Sequence, residues 1–312
     1  MKCFFRVGFC LVTLPLSTNA QTFAPAHCVG SWELVQPTFR HLDIPTGSPN
    51  LIKDNDGWCQ ISGLTLNPDG RSMPTIEVET VAWRGIGLED FVAGGSFPSK
   101  LEVSLSNIRV FPQVGDPVMD FSFRAQSIRN GVDADFAMEW DAAESQLKVT
   151  QFHIDFPGDN NIRAFATLDG VDDVAPENIS NLMTKAALKS LTVQVESNGL
   201  FESTALLPLS TLLLSGDETV PEQVAKLKSD AISLLATLPS NVYPADSHRA
   251  VTALIDDLPN PSGLFTLDLE FANGFSMPDA IRTALIAKGD PIAAIPQGLH
   301  IEASYKRSEI RR

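Results

Sequence analysis

The sequence predicts an α+β protein: a large, curved, mostly antiparallel sheet, with helices from the carboxyl-terminal half covering one face. Two observations carry this. Between about Trp58 and Val195, apolar and polar residues alternate at the period of half-buried strands. Beyond Val174 the apolar spacing becomes helical, with strand-like runs in between. A third observation sets the class. The 312 residues are 44% hydrophobic and 20% charged, enough for a sizeable core and too apolar for a disordered chain.

The amino terminus reads as a secretory signal. Lys2 and Arg6 form a short basic region, Phe4 to Leu16 is mostly apolar, and Thr18-Asn19-Ala20 offers small residues for cleavage after Ala20. The apolar stretch is short for a membrane span and contains Pro15, which favours a cleaved signal over an anchor. The expected location is periplasmic or secreted. Cys3 and Cys10 leave with the signal; Cys28 and Cys59 remain, and in an oxidising compartment they are expected to pair. Their spacing is far wider than the Cys-x-x-Cys of redox enzymes. Residues 21–57, with Pro37, Pro45, Gly47, Pro49 and Gly57, read as a loop-rich segment stapled to the first strand. Residues 58–312 read as one α+β domain, with the weakest junction near residue 172.

Within that domain, Leu101 to Pro112 resembles Leu147 to Pro157. Each starts with apolar residues on one parity (Leu101, Val103; Leu147, Val149) and ends with them on the other (Ile108, Val110; Phe152, Ile154, Phe156). Such a switch predicts a bulge or bend, since one residue of slip reverses every side chain. Met119, Phe121, Phe123 and Ala125 alternate with polar neighbours and predict a strand. Asn130-Gly131 predicts a hairpin turn into the alternating run Val132 to Trp140, and Ile162 to Leu168 forms another such run. Pro176 to Leu188 carries helical spacing, and Leu191, Val193 and Val195 a strand. Thr219, Pro221 and Glu222 spell a helix start with a capping box, followed by a stripe from Val220 to Leu238. Asp246 is expected to cap the next helix, which Pro259 and Pro261 end. Phe265 to Phe271 and Leu299 to Tyr305 predict strands that bracket a short helix starting near Pro278.

Charge narrows the partners. There are 38 acidic and 23 basic residues, a net charge of -15; removing residues 1–20 with their two basic residues takes it to -17. Nucleic acid is excluded as an expected partner, and electrostatic adhesion to an anionic membrane is disfavoured. Much of the acidity lies on the outer parity of strands, at Asp133, Asp135, Glu139, Asp268 and Glu270. No nucleophile elbow, zinc-protease helix or phosphate-cradling loop occurs, and no cofactor motif is present. His27, His41, His153, His248 and His300 show no metal-ligand spacing, and His153 and His300 read as solvent-facing strand residues. Asp246-Ser247-His248 holds the residue types of a triad, but adjacent residues rarely converge as one. Asp54-Asn55-Asp56-Gly57 lacks the spaced ligands of a calcium loop and reads as a turn. No catalysis and no metal site are therefore expected.

What stands out is apolar breadth. Phe121, Phe123, Phe136, Trp140, Phe152 and Phe156 offer wide walls that would face an apolar ligand if the sheet encloses a groove, and an ordinary core if it does not. The repeated Leu-x-Val units, the signal and the strand-then-helix order together resemble AsmA-like bacterial envelope proteins over residues 58–305. That resemblance implies a periplasmic location and a lipid-related envelope role. The leading expectation is an exported envelope protein that binds a lipid or another hydrophobic ligand. Peripheral membrane contact is compatible with it. The alternatives are an envelope scaffold that meets another envelope protein, and a hydrolase with an unrecognised site.

Overall fold

A computed structural model describes residues 26–41, 50–66, 74–172, 185–214, 219–287 and 295–309. The signal-like residues 1–20 lie outside them. Ten strands form one antiparallel sheet in sequence order: β1 (Asn50–Asn55), β2 (Trp58–Leu66), β3 (Thr75–Ile86), β4 (Lys100–Phe111), β5 (Val132–Asp141), β6 (Gln146–Phe156), β7 (Asn160–Asp169), β8 (Ala187–Asn198), β9 (Ser262–Ser276) and β10 (Leu299–Arg307). The sheet is continuous across residue 172, because β7 pairs with β8 from Asn161↔Glu196 to Asp169↔Ala187.

Tight turns close several hairpins. Asp56 (φ 52°) and Gly57 (φ 82°) form a two-residue turn between the paired Asn55 and Trp58. Both central positions need positive φ, which an Asp-Gly pair supplies at low cost. The parity switches in the sequence mark real irregularities. Against β5, β4 skips from Leu105 to Ile108 around Asn107 (φ 50°). Against β7, β6 skips from Val149 to Phe152. Each bulge returns the second apolar set to the face of the first, so a pattern that changes parity in sequence stays on one side in space.

Seven α-helices occur among the described residues. The first, α1 (Ala26–His41), replaces the loop expected there. Its helical signal is the spacing Cys28, Ser31 and Trp32, which puts three residues on one face. Cys28 is joined to Cys59 of β2, and the Trp83 indole N–H donates to the Ser31 hydroxyl at 2.8 Å. Cys28, Cys59, Ile61, Leu64, Val78, Trp83 and Leu88 make the buried core beneath α1. Gly30 lets α1 approach α2 (Leu88–Val92), since a Cβ there would sit 2.3 Å from Val92.

The strand expected over Met119 to Gln126 is instead α3 (Pro117–Ser127). The Asp116 carboxylate accepts from the Val118 and Met119 N–H groups, each at 2.9 Å, and Pro117 opens the first turn. These start signals outweigh the short alternation. A 3₁₀ turn (Ile128–Asn130) follows and Gly131 is extended at φ -62°, so Asn130-Gly131 is not a hairpin turn. The helix expected over Pro176 to Leu188 lies mostly outside the described residues, and its last two residues belong to β8.

Between β8 and β9 the chain forms a π turn (Phe201–Ala205), α4 (Leu206–Leu213), α5 (Val220–Ala236) and α6 (Ala245–Asp257). α5 starts as its sequence predicts, with the Glu222 carboxylate accepting from the Thr219 N–H at 3.1 Å. For α6 the N-cap position belongs to Pro244 rather than Asp246, which sits inside the first turn and pairs with Arg249. α7 (Met277–Ala287) follows β9.

Candidate functional site

Register fixes which side chains share the sheet's apolar face. Three cross-strand rows run from β4 to β10. The first is Leu105, Ala134, Ile154, Ile162, Val195, Phe265 and Tyr305. The second is Val103, Phe136, Phe152, Ala164, Val193, Leu267 and Ala303, and the third is Leu101, Met138, Val149, Ala166, Leu191, Leu269 and Ile301. The opposite face carries rows such as Ser104, Asp135, His153, Arg163, Gln194, Thr266 and Ser304. Asp133, Glu139, Asp268 and Glu270 share that polar face, as their parity predicts.

Coverage of the apolar face is uneven. Under α1 it is sealed. Along the three rows only Met138 is fully buried, the other side chains are half-buried, and Phe152 is 38% exposed. β7 contributes the small residues Ala164 and Ala166 between larger neighbours on the adjoining strands. The lower margin is closed by an aromatic chain: Phe91 packs edge-on to Phe97, Phe97 edge-on to Trp140, and the Trp140 indole donates to the Val171 carbonyl at 2.9 Å.

At the upper margin, over β7 to β10, the face meets the helices. A cavity of about 400 Å³ lies there, lined by Ile162, Val195, Phe265 and Tyr305 of the first row and by Leu200, Phe201, Leu254 and Leu258 from above. A second cavity of about 220 Å³ shares Phe201, Ile255 and Leu258 with it and continues between α4, α5 and α6. Lys228 borders it, but its ammonium is tied to the Asp256 and Leu258 carbonyls at the end of α6. α6 is held to the sheet edge by Ser247, whose hydroxyl accepts from the Ala303 N–H at 2.9 Å.

The six aromatic residues singled out from the sequence divide. Phe136, Trp140, Phe152 and Phe156 lie on the apolar face. Phe121 and Phe123 lie on α3, where Phe121 is 73% exposed. None of the six lines the two cavities under the helices. Phe201, Leu254, Ile255, Phe265 and Tyr305 do that, and they come from four separate elements. The apolar periodicity of α6, β9 and β10 was visible but their convergence was not, and Phe201 belongs to no run read from the sequence.

Several titratable groups are engaged in pairs. Ser247 of the triad-like sequence is spent on the β10 backbone, and the His248 ring packs 6.3 Å from the Tyr243 ring. His153 lies 3.9 Å from Asp135 across two strands, half-buried rather than fully solvent-facing. His300 contacts Glu302 at 3.2 Å, and the hydrogen bond to Glu302 raises its pKa. His27, Cys28 and Cys59 bring ligand atoms within 4.8 Å of one another, with both sulfurs committed to the disulfide. A cleft of about 350 Å³ at the lower end of β3 and β4 holds Arg84, Lys100 and Glu102. The hydrogen bond from Lys100 first, then Arg84, holds Glu102 below the usual carboxylate range against its partial desolvation.

No protein-family model matches the sequence, and no curated protein is significantly similar to it.

Proposed function

We propose that this chain is an exported envelope protein that holds a lipid, or a comparable apolar molecule, on the open face of its sheet. The observation that carries this is the incomplete burial of the middle and lower rows, Met138 apart, between the sealed patch under α1 and the cavity under α6. A soluble fold normally closes such a face, because leaving it wet forfeits about 25 cal/mol per Å². From β4 to β9 the rows cross five strand spacings, about 24 Å. An acyl chain occupies half the hydrocarbon thickness of a bilayer, about 15 Å, so the face accommodates one comfortably. The Cys28–Cys59 bond fits an oxidising compartment, and no helix among the described residues is long and apolar enough to cross a membrane.

The test is native mass spectrometry of the purified protein, with extraction of bound lipid, alongside Ala164→Trp. The indole would occupy the space above the small residues of β7 on the apolar face. The wild type is expected to carry apolar ligand and to bind a fluorescent fatty acid, and Ala164→Trp to lose both with an unchanged circular dichroism spectrum. A wild type that carries no apolar ligand and binds no fatty acid refutes the reading.

A further inference from the structure

The helical segment from Leu200 to Leu213, with Leu214 after it, is the least water-adapted surface element described. Residues 203–214 contain no charge. Leu207 and Leu212 are each 74% exposed, and Leu213 is 50% exposed. Beyond Glu202, its hydroxyls are satisfied within the segment. The Ser203 and Thr204 hydroxyls donate to the Leu200 carbonyl at 3.1 and 2.6 Å. Those of Ser210 and Thr211 donate to the Leu207 carbonyl, at 2.9 and 3.2 Å. A segment whose hydroxyls are satisfied within its own turns can enter an apolar interface without stranding a polar group. Beneath α4 lies the 220 Å³ cavity, which adjoins the cavity on the sheet across the shared lining residues Phe201, Ile255 and Leu258.

We propose that this segment docks the protein on the surface of a zwitterionic lipid bilayer, with Leu207 and Leu212 inserted, and that the cavity under α4 is the path between that bilayer and the apolar face. The proposal rests on the lipid-binding reading for its route but not for its docking step. Charge selects the surface. A chain of net charge -15 is repelled by anionic headgroups, and an uncharged leucine-rich element needs no cationic lipid, so a net-neutral interface fits both.

Flotation of the purified protein with phosphatidylcholine vesicles tests it. The wild type is expected to co-float, with little dependence on salt. Leu207→Asp/Leu212→Asp is expected to lose at least about tenfold in partitioning, since either leucine alone carries that much transfer free energy. Both positions face solvent, so the double variant should keep the wild-type circular dichroism spectrum. Phe121→Ser, which removes an equally exposed aromatic from α3, should float like the wild type. Three results overturn the proposal: a wild type that does not float, a double variant that floats equally, or stronger binding to phosphatidylglycerol than to phosphatidylcholine. A wild-type dimer that the double variant dissolves, seen by light scattering with no flotation, also overturns it and assigns the leucines to a second copy. The readings separate through fatty-acid binding from solution. The double variant should retain it; flotation by the wild type without fatty-acid binding keeps the docking step and removes the ligand reading.

Discussion

Replacing Cys28 and Cys59 together with alanine removes the tie between α1 and β2. The two cysteines are 31 residues apart. In the chain-entropy account, releasing a loop of that size returns about 3.7 kcal/mol of conformational freedom to the unfolded state at 25 °C. With an m-value of about 3 kcal/mol/M for a domain of this size, the urea midpoint should fall by about 1.2 M. The location sharpens the expectation, because both sulfurs sit in the core cluster with Trp83, and the Trp32 ring lies 6.4 Å from the Trp83 ring. Trp32 and Trp83, two of the four tryptophans, therefore make part of the fluorescence change report undocking of α1, while far-ultraviolet circular dichroism reports the sheet. In the double variant the fluorescence transition should come first. A midpoint shift below about 0.3 M, or coincident transitions with an unchanged midpoint, would refute the claim that this bond holds α1 on an otherwise self-sufficient sheet.

Other expectations follow from single sites. Asn107→Val should destabilise by about 2 kcal/mol in urea titration and Asn107→Gly by under about 1, because the bulge holds this residue at positive φ, where a β-branched side chain is strained. Trp83→Phe should cost about 1–2 kcal/mol through the lost hydrogen bond to Ser31, measured the same way. Glu77 is nearly buried between Arg109 (3.1 Å) and Arg124 (2.7 Å), so Glu77→Ala should destabilise by about 2–3 kcal/mol and leave Arg109 without its partner. The raised pKa of His300 means its pairing with Glu302 stabilises the fold fully below the unfolded value of about 6.5 and ceases to do so as pH rises through the folded value. An NMR titration should place the His300 midpoint above that of a free histidine, and Glu302→Gln should bring it down.

The sheet was legible where local pattern and register agree. Val132 to Trp140 alternates without interruption and is β5. The parity switches near Asn107 and Gln151 predicted bulges, and register shifts occur at both places. The capping residues of α5 and the cysteine pair were equally plain. What failed was arbitration between two local signals. At 119–126 the alternation is real, but Asp116 and Pro117 start a helix, and the helix turns Phe121 outward. In residues 26–41 the helical signal is a face of three residues, interrupted downstream by Pro37, and the contact with Trp83 that secures it is in no local pattern. The candidate site was half legible for the same reason. Phe136, Phe152 and their neighbours could be assigned to one face by parity. The cavity under α4 and α6 depends on where a long insertion between two strands folds back, which periodicity does not encode.

The strand order has a consequence for how the molecule is made. Every strand pairs with the one synthesised just before it, so a chain emerging amino terminus first can add each strand to a finished edge. Local pairing of this kind keeps loop-closure entropy small and folding fast for a sheet of ten strands. Cys28 and Cys59 both belong to the first part to appear, so the staple can close before β4 exists. The one long wait lies between Asn198 and Ser262, where β8 stands as an unfinished edge while the helical insertion is produced. A pulse of protease, or of a strand-capturing chaperone, should find the nascent protein most vulnerable at that stage.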